Sequence, residues 1–248
     1  MERYQGKKVV IIGGTSGIGL ATAKMLLDGG ARVLVTGRSQ TGLDSAKKEL
    51  GNDALVVSSD ARSLTDIDAL GARVKAEFDT FDLLFVNAGF SAFAPLESMT
   101  EAVYDDMFSL NAKGPFFAVQ KLAPMITRGG SVVFTTSTAN IKGMPMIAAY
   151  GGAKAAMRSF ARMFAAEFLP RGIRVNAVSP GPIETPIIGK AFPDKETADH
   201  LTGQMREANP MKRFGTSEEI AKAVLFLAFD ATFTTGVEFP VDGGWSQL

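Results

Sequence analysis

Six short runs rich in β-branched residues, "KKVVII", "ARVLVT", "ALVVSS", "DLLFVN", "GSVVFTT" and "IRVNAVS", recur along the chain between longer stretches with helical period. The helical pattern covers residues 17–29, 40–50, 63–78, 101–127, 149–169 and 217–228. Strand and helix in strict alternation leave few architectures, because parallel neighbours need a crossover long enough to bring the chain back. The runs are continuously apolar rather than alternating, as in strands covered by helices on both faces. The expectation is an α/β fold: one domain of 248 residues around a doubly wound, mainly parallel sheet. Residues 181–215, "GPIETPIIGKAFPDKETADHLTGQMREANPMKRFG", interrupt the alternation. A loop of that length reads as a partly helical lid over a ligand, with a solvated surface insertion as the alternative.

Charge narrows the possible partners. Lys and Arg number 26 and Asp and Glu 26, so no net field draws in nucleic acid or an anionic membrane surface. Cysteine is absent, which excludes disulfides and thiolate chemistry. The opening "MERYQGKKVVIIGG" holds an apolar run only from Val9 to Ile12, too short for a secretory leader or a membrane span. A cytoplasmic protein is expected.

In "VVIIGGTSGIGLATAKMLLDGG" a strand passes through a turn of small residues into a helix with Ile18, Ala21, Met25 and Leu26 at apolar positions. Gly13 lets the chain leave the strand sharply, and Gly17 and Gly19 allow close approach of backbone and helix. With Thr15, Ser16 and Ile18 between them, the turn presents helix N–H groups and a partial positive charge to a pyrophosphate. Its spacing is G-x-x-x-G-x-G rather than G-x-G-x-x-G, and tight packing without a ligand is the alternative reading. The second strand ends in "VLVTGRSQ", where Gly37 stands at the position of a ribose-binding acid and Arg38 follows. That favours NADP(H), with Arg38 on the 2′-phosphate and Thr15 and Ser39 adding hydroxyl hydrogen bonds; the alternative is a surface arginine.

In "AAYGGAKAAMRSF" Tyr150 and Lys154 are four residues apart, on one helical face at about 5–6 Å between Cβ atoms. Bringing a phenol from a pKa of about 10 to about 7 requires roughly 4 kcal/mol. An ammonium about 4 Å away supplies that at an effective dielectric near 20. Tyr150 is expected to serve as acid/base with its pKa lowered by Lys154, although an interfacial Tyr beside a snorkelling Lys has the same spacing.

These residues belong to a pattern that resembles the short-chain dehydrogenases/reductases. "IGGTSGIG" matches the family's glycine turn, and "VNAG" gives Asn87, Ala88 and Gly89. "LNAKG" gives Asn111, and "TTSTA" gives Ser137, thirteen residues before Tyr150. "SPGPIET" gives Pro180, Gly181, Ile183 and Thr185, and "VDGG" closes the match at 241–244. Ile12 replaces the family's usual Thr, which puts a hydrogen bond of the glycine turn in doubt. The resemblance implies a Rossmann fold with a seven-stranded sheet, and hydride transfer between NADP(H) and a carbonyl or alcohol. It implies Tyr150 as general acid/base, Ser137 on the substrate oxygen, and Lys154 on the nicotinamide ribose. Asn111 would position a water that relays protons. It places Asp60 and Ala61 at the adenine, Asn87 to Gly89 along the cofactor, and Pro180, Gly181, Ile183 and Thr185 near the carboxamide and phosphates. It also implies a homotetramer paired through helices at about 101–127 and 149–169.

The substrate side is expected to hold Phe90, Ile141, Met144, Met146, Ile187, Ile188, Phe192 and Met205, which suits a hydrophobic ketone or secondary alcohol. His200, the lone histidine, reads as a rim or surface residue, and no metal-ligand cluster is present. Two other functions fit the same residues. One is a β-ketoacyl carrier-protein reductase with Arg128 and Arg171 meeting an acidic carrier; the other is an NADP(H)-binding sensor, which the intact Asn, Ser, Tyr and Lys set disfavours.

Overall fold

The computed structural model describes residues 3–185 and 195–248. Among them, seven strands form one sheet: β1 (Lys8–Ile12), β2 (Arg32–Gly37), β3 (Ala54–Ser58), β4 (Phe81–Val86), β5 (Ile126–Thr135), β6 (Arg174–Pro180) and β7 (Glu238–Val241). Their order is β3-β2-β1-β4-β5-β6-β7, and every neighbouring pair is parallel. The helices are α1 (Gly17–Asp28), α2 (Gln40–Leu50), α3 (Leu64–Phe78), α4 (Glu101–Phe108), α5 (Gly114–Leu122), α6 (Ala148–Phe168), α7 (Lys195–Ala208) and α8 (Ser217–Leu225). This is the expected doubly wound Rossmann architecture.

The apolar runs divide by the two-residue period of a strand. Val10, Ile12, Leu84, Val86, Val132 and Phe134 pack with α3, α5 and α6 on one face. Val9, Ile11, Leu83, Phe85, Val133 and Val178 pack with α1 and α8 on the other. Both clusters are buried, which is why no polar alternation is visible in these strands.

The helix expected over 101–127 is divided. After α4, Ser109–Lys113 form a widened π turn, α5 resumes at Gly114, and Ile126 already opens β5. Pro115 has no N–H to offer the carbonyl of Asn111 four residues back, and the ladder widens there. Phe116, Phe160, Phe164 and Phe168 pack on one another across α5 and α6, with ring centres 5.3–6.0 Å apart. In the interrupting segment, α7 is helical as expected. The base of that segment is pinned where Ile183 bridges Gly215 and the Glu184 N–H donates to the Gly215 carbonyl at 2.9 Å.

Candidate active site

A cavity of about 500 Å³ opens along the C-terminal ends of the strands, where β1 and β4 sit side by side and the strand order reverses. One end is the glycine turn. Gly13 has φ +83°, and a Cβ there would lie 2.6 Å from the backbone of Ala88. The hydrogen bond that Ile12 put in doubt has a substitute, since Thr36 of β2 accepts from the Gly13 N–H through its Oγ1 at 3.2 Å. Ser16 caps α1 without a side-chain bond and no acid stands in the first turn, so the positive end of the helix is free to face an anion. Thr15, Ser16, Gly17 and Ile18 line the cavity. Gly19 does not: it is buried beneath the turn, where a Cβ would meet the Gly13 carbonyl at 2.1 Å. Its smallness permits packing rather than ligand contact.

Gly37, Arg38, Ser39, Asp60 and Ala61 form the next wall. A side chain at Gly37 would meet Thr15 at 2.5 Å. Arg38 is largely exposed, and its Nη1 lies 3.8 Å from Asp60 Oδ2. The Ser39 hydroxyl accepts from the Gly42 N–H at 3.2 Å as the cap of α2, which leaves its own proton available to a ligand. Glycine turn, helix N-terminus and this wall together fit a dinucleotide.

The centre is a chain of polar contacts. Asn87 Nδ2 donates to the Gly13 carbonyl at 2.8 Å, and Thr135 Oγ1 donates to Asn87 Oδ1 at 2.9 Å. Lys154 Nζ donates to the Thr135 carbonyl at 2.8 Å and lies 5.7 Å from the Tyr150 ring centre. Burial brings the Lys154 pKa down to about 8. Burial also raises the Tyr150 pKa, while a hydrogen bond with Ser137 pulls it the other way. The expected lowering of the phenol pKa by Lys154 is therefore not found in the protein alone: burial is the largest influence on Tyr150, and the ammonium is directed to the Thr135 carbonyl.

Three further expected residues lie off the cavity. Asn111 is fully buried behind the cavity wall, not on it. Its Nδ2 donates to the Phe90 and Met107 carbonyls at 2.9 and 3.0 Å, and its Oδ1 accepts from the Phe90 N–H at 3.2 Å. Ile141 is 57% exposed and absent from the cavity, because the turn Thr138–Asn140 ends before it and presents Thr138 and Ala139 instead. Met146, also 42% exposed, does not line it. Phe90, Met144, Met205, Asn87, Ala88, Gly89, Pro180, Gly181, Ile183 and Thr185 do, whereas Ile187, Ile188 and Phe192 lie outside the described residues. The stretch Phe90 to Phe93, expected to border the pocket, supplies Phe93 as well, whereas sequence reasoning missed Ile147 and above all Trp245, the single tryptophan, which the "VDGG" turn returns to the cavity. Lys142 fixes it, donating to its carbonyl at 2.6 Å with Nζ 4.1 Å from its ring centre. Gly181 makes that return possible, since a Cβ there would meet Asp242 at 2.7 Å.

A family profile described as enoyl-(acyl carrier protein) reductase matches residues 13–246. An oxidoreductase from Sarocladium schorii, asL5, is 37% identical over 100% of this chain and 99% of its own. The chain belongs to the short-chain dehydrogenase/reductase family. Among solved relatives, a levodione reductase has a TM-score of 0.91 at 33% identity, covering 98% of this chain and 99% of the other. A 3-ketoacyl-(acyl-carrier-protein) reductase from Brucella melitensis, complexed with NADH, has a TM-score of 0.89 at 29% identity, covering 98% and 99%. This short-chain dehydrogenase/reductase is thus an oxidoreductase of the nicotinamide-dependent kind. Among its described residues no helix is long and apolar enough to cross a membrane, and no group of three acidic, His or Cys side chains is placed to hold a metal.

Proposed function

We propose that the protein is an NADPH-dependent reductase of hydrophobic ketones, working reversibly on the corresponding secondary alcohols. The observation that carries this reading is the placement of Ser137, Tyr150 and Lys154 in one cavity with the glycine turn and Arg38, next to a wall of Phe90, Phe93, Met144, Ile147, Met205 and Trp245. A bound nicotinamide cofactor supplies the hydride. Tyr150, kept protonated at neutral pH by its raised pKa, donates the proton that the developing alkoxide needs. Ser137 donates a hydrogen bond to the same oxygen. Lys154, with a pKa of about 8, is roughly nine-tenths cationic at pH 7 and places positive charge beside the phenol. Asn111 acts from behind, clamping the Gly89–Phe90 backbone that a cofactor would lie along.

NADP(H) is favoured because Gly37 carries no carboxylate and Arg38 follows it on the cavity wall. A 2′-phosphate would draw Arg38 from Asp60, a contact of 3.8 Å. The wall presents aromatic, methionine and isoleucine side chains, with Lys142 held against Trp245 and Arg62 against Phe90, and suits a neutral, hydrophobic substrate. Assembly into a homotetramer through α6 rests on the family resemblance, with Met163 and Leu169, 54% and 61% exposed on and just after that helix, open to a partner.

A carrier-protein substrate is the second reading, favoured by the name of the Brucella melitensis relative. Arg128 and Arg171 do not serve it. They stand at the N-terminal ends of β5 and β6, the far edge of the sheet from the cavity, and Arg171 is spent on the Ala123 carbonyl at 2.6 Å. The test is NADPH oxidation with aryl ketones, diketones and β-ketoacyl thioesters, by the unaltered protein and Tyr150→Phe. Tyr150→Phe should lose at least about a hundredfold in kcat while binding NADPH normally. Turnover retained by Tyr150→Phe would refute the assignment, and a preference for thioesters would select the second reading.

A further inference from the structure

Ser137 sits at the start of a turn whose shape is set from outside the cavity, by a carboxylate on the edge strand β7. Glu238 Oε1 accepts from Asn140 Nδ2 at 2.8 Å and is also within reach of the Thr136 hydroxyl. The same Asn140 Nδ2 donates to the Ser137 carbonyl at 2.6 Å. Glu238 Oε2 faces Arg158 Nε at 3.7 Å, and Arg158 Nη1 donates to the Gly236 carbonyl at 2.9 Å. Arg158 lies one turn beyond Lys154 and two beyond Tyr150 on α6, so all three share one stripe of that helix.

A carboxylate only 11% exposed, on a strand where an apolar side chain would avoid its desolvation, needs donors to be tolerated. Glu238 finds them on two separate elements: the Ser137 turn and the helix that carries Tyr150. It does not itself line the cavity. We propose that Glu238 is a positioning residue that fixes the Ser137 hydroxyl relative to the Tyr150 phenol, so that both reach one carbonyl oxygen. This rests on the reductase reading above. Its physical basis is that a displacement of about 1 Å in such a donor costs on the order of a hundredfold in rate even when binding survives.

The test compares Glu238→Ala and Glu238→Gln in the full chain, using NADPH and a ketone that the unaltered protein reduces. Glu238→Ala should lower kcat by about 10- to 100-fold, with KM for the ketone and the NADPH Kd within about twofold. Glu238→Gln, whose amide oxygen still accepts from Asn140, should recover most of that loss. Amide hydrogen exchange should speed up over residues 136–141 in Glu238→Ala and remain unchanged in β1 and β4. A kcat within about twofold of normal in Glu238→Ala, or equal losses in both variants, overturns the proposal. A protein that reduces no carbonyl at all removes the reductase reading instead. In that case exchange still decides the Glu238 assignment, because unchanged protection over 136–141 overturns it.

Discussion

Replacing Lys154 with Met should stabilise the cofactor-free protein at neutral pH, and the gain should reverse in alkali. Lys154 is 3% exposed, and burial moves its pKa from 10.5 down to about 8. Because the folded-state pKa is the lower one, the unfolded chain binds the extra proton between these values, and stability rises with pH across that window. Below pH 8 the fold must bury the ammonium, at about 3 kcal/mol from 1.36 kcal/mol per pKa unit. That cost fades from pH 8 to 10.5. Methionine keeps the length of the stem without the charge but gives up the 2.8 Å hydrogen bond to the Thr135 carbonyl, a loss of about 1 kcal/mol. The variant should therefore be about 2 kcal/mol more stable than the unaltered protein at pH 7, a rise in Tm of roughly 4–8 °C for a chain of this size. Above pH 10.5 it should be about 1 kcal/mol less stable, with the sign changing between. Urea and thermal unfolding from pH 6 to 11 read this directly. A variant destabilised by the same amount at every pH would refute the buried-cation account, and one both stabilised and active would refute the catalytic role of Lys154.

Gly89→Ala should cost about 1–3 kcal/mol, because its Cβ would stand 2.7 Å from Asn111 Oδ1 and 3.3 Å from Lys154 Nζ, both held by buried hydrogen bonds. A melting curve unchanged from the unaltered protein would show that the Asn111 clamp yields freely. Arg38→Ala should weaken NADPH by roughly 10- to 100-fold and NADH by little, since a charge-assisted bond to phosphate is lost. Titration of the cofactors by fluorescence transfer from the lone Trp245 checks this, and equal weakening of both would place Arg38 outside 2′-phosphate recognition. Stability should hardly change, because its 3.8 Å pair with Asp60 is solvent-exposed.

Periodicity by itself determined the alternating fold and six of the strands. A buried parallel strand must be apolar throughout, and a crossover helix must show its own period, so both leave a trace in local sequence. The glycine turn and the Tyr150–Lys154 pair were equally local, since backbone approach at Gly13 and a shared helix face need only near neighbours. β7 entered only through the family resemblance: Glu238–Val241 is four residues long and mixed in character, so no period marks it. The break at Ser109–Lys113 was hidden because one proline in a helix-favouring stretch does not say how the ladder will reroute.

What tertiary structure alone decided is which side chains meet. Asn111 and Ile141 carried the right residue types, yet one is buried behind the wall and the other faces solvent. Asn111 is turned inward by the Phe90 backbone beyond the end of β4, and Ile141 follows a turn that Glu238 holds from β7. Trp245 reaches the cavity, and Glu238 reaches the Ser137 turn, from about a hundred residues away in the chain. The direction of the Tyr150 pKa was likewise beyond a spacing argument. Four residues on a helix fix that a phenol and an ammonium share a face, but burial and competing acceptors, set by the whole fold, fix what the charge does.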